Sequence, residues 1–237
     1  MNSKELADQI NQDIMNQILQ DLDGRIPNEP TLIERYQVTR YTLRLALNQL
    51  VELGLIYQVQ GKGTFTRKRT HKNAITLDQT SGLTEEAKRL GRELKTIYAK
   101  LSTVRSDEVA FLPEDTELSD DEELYLVERL RYLDDDPFVV EYSYYRKKYI
   151  PYLNQEIIDN SIYSYIKQAV NLNLGFADKL ISCEACPKNQ AKNLRLKENA
   201  PVLVLQDEAY LNTGDIFNFS KLYYHPDISF FMLAKMN

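Results

Sequence analysis

Residues 38–64 read V-T-R-Y-T-L-R-L-A-L-N-Q-L-V-E-L-G-L-I-Y-Q-V-Q-G-K-G-T, and the fold of the N-terminal part of the chain turns on them. Wound as a helix from Arg40, the stretch sets Leu43, Ala46, Leu47 and Leu50 on one stripe. Tyr41, Arg44 and Asn48 fall on the opposite face, with Arg40 at its edge. Gly54, just past the last apolar position, suits a left-handed C-terminal cap. Leu55 to Val59 then carries strand composition into a Gln60-Gly61-Lys62-Gly63 turn, a β finger whose glycines permit close backbone approach to a groove. A basic-tipped helix followed by such a finger is the pattern of a winged helix-turn-helix, whose polar helix face is free to read base edges.

The residues upstream supply the rest of that unit. Thr39 is placed to cap the helix that begins at Arg40, and Val38 to seal the turn before it. Asn28, with Pro30 in the first turn, opens a short positioning helix over residues 29–36. Leu6, Ile10, Ile14, Ile18 and Leu22 recur every four residues, which predicts a first amphipathic helix over 4–22 that buttresses the other two.

A chain of 237 residues with 43% hydrophobic content has room for two cores. Its formal net charge of −6 is unevenly spread. Between residues 25 and 72, nine basic residues face three acidic ones, so an electropositive patch suited to phosphates is confined to the first module. The polar, basic and aperiodic run around 67–75 reads as a linker, dividing the chain into domains 1–69 and 70–237. Beyond it, strand-like segments (94–104, 123–133, 137–146, 177–187, 201–212, 216–224, 228–234) interleave with helix-like ones (83–91, 106–111, 160–170, 188–195). Turn signals at Asp134-Asp135-Asp136-Pro137 and Asn212-Thr213-Gly214-Asp215 make the sheet mainly antiparallel, in an α+β second domain.

No charged-then-apolar N-terminal signal and no run of 18 apolar residues occurs, so the expectation is a cytoplasmic protein with no membrane partner. Cys183 and Cys186 lack a second ligand pair for zinc and read as two reduced thiols. His71 and His225 are too few and too far apart to suggest a metal. No nucleophile–base pair, metal cluster or nucleotide loop is visible, so no catalytic residue, no metal and no cofactor is expected. The tyrosines Tyr142, Tyr144, Tyr145, Tyr149 and Tyr152 read as core and interface rather than as ligand platforms.

Three separated blocks, Ile26 to Leu32, Val38 to Ile56 and Gly61 to Phe65, occur in the order and spacing of L-P-S-E-x-x-L, V-S-R-x-T-V-R-x-A-L-x-x-L-x-x-x-G-L-I and G-x-G-T-F. In these the chain resembles the GntR family of bacterial transcriptional regulators. The resemblance implies DNA contacts by Thr39, Arg40, Tyr41, Thr42 and Arg44, and by Gln60, Gly61 and Lys62 in the wing. The position after the helix-starting Glu, often Arg in this family, is Pro30 here.

Residues 75–235 resemble the UTRA effector-binding module of the HutC subfamily, a chorismate-lyase-like fold, through Arg129-Leu130-Arg131, Pro137 to Tyr145, Asn160 to Tyr165 and Asn218 to Lys221. That resemblance implies a pseudo-palindromic operator bound by a homodimer and repression relieved by a small-molecule effector, in the understood relatives a phosphorylated sugar. Arginines matching Arg129 and Arg131, with hydroxyls matching Ser161 and Tyr163, then hold the anion, and Glu141 matches an acidic residue at the same pocket. A carboxylate common in the family stands as Asn218 here.

Physical reasoning agrees with this carry-over. Arg129 and Arg131 lie two apart on a strand and so face the same way, and Ser161 opens a predicted helix whose N–H groups favour an anion. Glu141 is suited to accept from sugar hydroxyls, and Tyr163 or Tyr224 to form an aromatic wall. From spacing alone the two arginines read first as surface salt-bridge partners of the Asp134 to Asp136 run or of Glu141, and it is the resemblance that turns the reading to an anion pocket. The competing functional reading is a chorismate-lyase-like enzyme domain fused to a DNA-binding module, with Glu141 as acid.

Overall fold

The computed structural model of the chain describes residues 1–21, 23–67, 74–77, 82–89, 91–114, 116, 118–170 and 172–232. It divides into two compact units, Met1–Lys72 and Asn73–Met232. Residues 68–73 of the predicted linker, His71 among them, lie outside the described residues.

In the first unit, α1 (Ser3–Met15) opens with a capping box between Asn2 and Glu5 and buries Leu6, Ala7 and Ile10. The predicted helix over 4–22 is therefore too long. Gln17 takes φ +57°, and the N–H groups of Gln17 and Ile18 return to the carbonyls of Ile14 and Asp13, the bond pattern of a Schellman stop. Ile18 is consequently exposed and Leu19 enters the core in its place, while Leu22 lies outside the described residues.

α2 (Glu29–Tyr36) starts at Asn28, whose side chain accepts from the Thr31 N–H at 3.1 Å. α3 (Arg40–Glu52) starts at Thr39, whose hydroxyl accepts from the Thr42 N–H at 3.1 Å. Its buried residues are Leu43, Ala46, Leu47 and Leu50, the predicted stripe. β1 (Ile56–Val59) and β2 (Gly63–Thr66) form an antiparallel hairpin, closed by the Lys62 N–H donating to the Val59 carbonyl at 3.0 Å. Gly61 in that turn sits at φ +75°. One core of Leu6, Ile10, Leu32, Leu43, Leu47, Leu50 and Ile56 joins the three helices to the hairpin.

The second unit begins with β3 (Ile75–Thr76) and α4 (Leu83–Arg89), then β4 (Leu94–Arg105) and a 3₁₀ turn at Ser106–Glu108. β5 (Glu123–Leu133) and β6 (Asp136–Arg146) follow, then α5 (Gln155–Asp159) and α6 (Ile162–Tyr165), which runs into a π-helical turn, Ile166–Val170. β7 (Leu174–Ala185), α7 (Lys188–Asn193), β8 (Pro201–Leu211), β9 (Ile216–Tyr224) and β10 (Phe230–Phe231) complete it. Six strands form one antiparallel sheet in the order β4-β5-β6-β9-β8-β7, and β10 pairs with β3 in parallel.

The expected α+β architecture with a mainly antiparallel sheet is present, with local corrections. The helix predicted over 160–170 is one short α turn and one π turn preceded by α5, and that over 106–111 is a single 3₁₀ turn. The strand predicted over 228–234 reduces to Phe230–Phe231, with 233–234 outside the described residues. β3 has too few residues to show a period.

Opposed residues of neighbouring strands share a sheet face, and the two faces bury different sets. On one, Tyr145, Ala209 and Phe217 pack under Ile158, Ile162 and Ile166. Phe138, Leu205, Leu222 and Tyr224 of the same face pack with Ile75 and Ala87. Elsewhere Val140, Val202, Val204 and Tyr223 receive Cys186 and the Ala191 and Leu194 side chains, while Leu124, Tyr144 and Phe219 pack with Phe111. Between the first two clusters the sheet forms the floor of a cavity that Leu83, Thr84 and Glu86 of α4 and Ile162 and Tyr163 of α6 also line.

Candidate nucleic-acid interface and ligand pocket

α3 presents its polar face to solvent: Arg40, Tyr41, Arg44 and Asn48 are all exposed, Tyr41 at 73%. Arg44 is not loose. Its Nε donates to both carboxylate oxygens of Glu29 at 3.0 and 3.3 Å, and Arg40 Nε stands 3.9 Å from the same carboxylate. The first turn of α2 thus aims the arginines of α3, in the turn where Pro30 replaces the family's usual arginine. The Thr39 and Thr42 hydroxyls lie 2.9 Å apart at the helix start. At the finger, Gln60, Gly61 and Lys62 are exposed, and nothing lies within 4 Å of where a Gly61 side chain would begin. Stacked Tyr57 and Phe65 rings, 5.6 Å apart, stiffen its base. Arg25, which the sequence reading counts only as a basic residue, bridges to Phe65, and its guanidinium lies against Gly63.

The cavity of the second unit has a volume of about 160 Å³. Arg129, Arg131, Glu141, Ser161, Tyr163 and Tyr224 all line it, and Asn218 does not. Asn218 lies behind the wall, donating to the Tyr144 carbonyl at 3.0 Å and receiving the Tyr163 hydroxyl at 3.5 Å. Asn218 thus stands beside Tyr163 and outside the lining of the cavity. Ser161 caps the four-residue α6 by accepting from the Ser164 N–H at 3.2 Å, and so short a helix has little dipole to offer an anion. Tyr224 is a packed wall, edge-on to Phe138 and Phe230.

The expectation that two arginine forks converge on one anion also changes. Arg129 is buried and engaged: Nε and Nη2 donate to the two oxygens of Glu141 at 3.0 and 2.8 Å, and Nη1 to the carbonyls of Ile158 and Asn160 at 3.2 Å each. Burial opposes charge on Glu141, but the Arg129 guanidinium outweighs it and holds the carboxyl below its usual range. Arg131, only 3% exposed, donates from Nη2 to the Thr84 hydroxyl at 2.8 Å, while its Nε has no partner among the described residues. Burial and the adjacent Arg129 charge bring Arg131 down to about 10.

Sequence reasoning missed Thr84, Glu86, Lys179 and Asp207, which also line the cavity. Asp207 carries a buried Oδ1 with no partner among the described residues, and burial pushes its carboxyl up. Its signal was present: Leu203, Leu205, Ala209 and Leu211 define an apolar phase of β8 that Asp207 interrupts. Among the described residues no group of three potential metal ligands occurs, and no helix is long and apolar enough to cross a membrane.

Residues 2–66 match the family described as bacterial regulatory proteins, gntR family, and residues 89–228 match the UTRA domain. The chain belongs to the GntR family of bacterial transcriptional regulators. Within it, the UTRA module places the chain among the HutC-like members. The chain is 29% identical over 230 residues to the uncharacterized HTH-type transcriptional regulator YydK of Bacillus subtilis (strain 168), covering 97% of this chain and 95% of that one. The crystal structure of YydK superposes with a TM-score of 0.78 at 27% identity, covering 100% of both chains. Two further GntR relatives are repressors by name. The transcriptional repressor NagR of B. subtilis is 27% identical over 94% of this chain and 90% of its own. MngR of Escherichia coli (strain K12), the mannosyl-D-glycerate transport/metabolism system repressor, is 24% identical over 94% and 91%. GntR regulators bind DNA, and relatives and fold alike are those of transcription regulators.

Proposed function

We propose that the protein is a cytoplasmic, one-component repressor that binds a pseudo-palindromic operator as a homodimer and is released by a sugar phosphate held in the second unit. The observation that carries the effector half is Arg131: a buried guanidinium with an unpartnered Nε, facing an open cavity, is a place reserved for an anion. Arg129 serves this pocket by locking Glu141, and Tyr163 and Tyr224 give it aromatic walls. Support for the DNA half is the row of Thr39 at the cap and Arg40, Tyr41, Thr42 and Arg44 on α3, all exposed but the half-buried Thr42, with exposed Gln60, Gly61 and Lys62 on the finger. In this reading α3 enters the major groove and the finger lies beside it, with half-sites about 34 Å apart. The edge strands β4 and β7 of the six-stranded sheet, with Ile97, Tyr98, Phe176, Leu180 and Ile181 exposed on them, support pairing through the second unit.

The effector acts by binding the DNA-incompetent arrangement more tightly, since equal affinity shifts nothing. The cavity on this reading senses and does not catalyse, so chorismate incubated with the protein is not turned over. The deciding experiment is operator binding by the Arg40→Ala, Arg44→Ala double variant at physiological salt. The folded variant is expected to lose operator binding, and undiminished binding overturns the reading. A thermal-shift panel of sugar phosphates tests the pocket, with the stabilisation expected to vanish in Arg131→Ala.

A further inference from the structure

We propose that the cavity reads its ligand at two ends, with Arg131 taking the anionic group and Asp207 requiring an O–H or N–H donor from the ligand's other end. This rests on the sugar-phosphate reading of the pocket and deepens it by assigning recognition of the ligand's hydroxyl or ammonium to Asp207. Two observations carry it. Asp207 lies on the cavity floor between Leu205 and Ala209, and its Oδ1 is buried without a partner among the described residues. Its rung neighbours on β7 and β9 are Lys179 and Ser220, and neither satisfies that oxygen.

A carboxylate oxygen withdrawn from water with nothing donating to it is a cost the fold carries. Glu141, the other acid on this floor, shows what a satisfied one looks like: it takes both forks of Arg129 and the Ser143 hydroxyl at 2.7 Å. Arg131 is the mirror case, a cation with one N–H unmet. The same cavity therefore holds an unmet donor and an unmet acceptor, and a bare anion answers only the first. Burial, with smaller contributions from the Glu141 and Glu208 charges, pushes the Asp207 carboxyl up against the opposing pull of the Lys179 cation. A site built around a buried polar group rejects ligands that leave it unpaired far more strongly than one built on apolar fit.

Titration calorimetry of the full chain with inorganic phosphate, glucose 6-phosphate and glucosamine 6-phosphate tests this. Wild type is expected to bind at least one ester about tenfold or more tightly than inorganic phosphate. Asp207→Ala abolishes that increment and leaves phosphate binding itself in place. Asp207→Asn, which keeps an acceptor and loses the charge, retains a hydroxyl-based increment and loses an ammonium-based one. Without ligand, Asp207→Ala melts at or above the wild-type temperature, because a frustrated group has been removed, whereas a structural Asp207 lowers it. An ester increment that survives Asp207→Ala, or an apo variant that is destabilised, overturns the two-ended reading and leaves the anion pocket standing. Phosphate and ester binding unchanged in Arg131→Ala, or absent for all three probes, overturns the anion pocket and this inference with it.

Discussion

Glu141 and Arg129 show how one rung of a sheet assigns roles to neighbouring side chains. The pair is buried on both sides and bidentate, so removing one partner strands the other charge. Glu141→Ala is expected to cost about 3–5 kcal/mol in chemical denaturation, far more than an exposed pair. Glu29→Gln, which breaks the exposed clamp on Arg44, is expected to cost less than about 1 kcal/mol. That same change is expected to reduce the preference for operator over random DNA severalfold in competition binding, because the Arg44 fork loses its fixed aim. The spacing of Arg129 and Arg131 was legible in the sequence; which of them Glu141 would claim was not. β5 and β6 slip register by one between Arg131 and Tyr132, and that bulge places Glu141 opposite Arg129. Without it the pairing continued from Leu133 and Asp136 would set Glu141 against Glu128, and nothing local in the sequence marks the slip.

Elements with caps of their own were read nearly to the residue, and those ended by tertiary context were not. α2 and α3 begin at Asn28 and Thr39, whose side chains meet N–H groups three residues on, a rule written in the sequence. α1 ends where Gln17, not a glycine, turns left-handed, so the four-residue spacing ran on past the true stop. The α1 to α2 join carries a pH dependence. Asp13 accepts from Gln9 at 3.0 Å, Arg35 at 3.3 Å and the Tyr36 hydroxyl at 2.8 Å. Burial opposes its charge, but these partners outweigh it and hold the carboxyl below its usual value. A carboxyl depressed by folding gives stability that is full above its unfolded pKa, about 3.9, and lost as pH falls through the folded one. Thermal melts from pH 6 to pH 3 are therefore expected to fall less steeply for Asp13→Asn than for wild type. At the finger, Gly61→Val forces a β-branched residue to φ +75° at a cost of about 1–2 kcal/mol. Because the position is otherwise open, the expected signature is weaker operator binding with helical content intact by circular dichroism.

At the scale of the whole chain, two cores are built from separate residues, one within Met1–Lys72 and the rest within Asn73–Met232. The division followed from charge asymmetry and a change of period, and the six long strands from their alternation and turn residues. β3 and α5 left no trace in the sequence reading, and β10 is a remnant of the strand expected over 228–234, because elements that short carry no pattern. Yet β3, paired with β10, borders the cavity. Ile75, Thr76 and Leu77 form part of the cavity wall, and the Thr76 N–H is tied to Glu86 at 2.6 Å. Following the chain backwards, Thr66 at the end of β2 lies only nine residues before Ile75. On the proposed effector reading, occupancy that reseats those wall residues is expected to reach the finger along that short stretch of sequence. Splicing a flexible glycine–serine spacer into that stretch should slacken it, leaving operator affinity and effector affinity each intact in separate titrations while the effector no longer dislodges the protein from DNA.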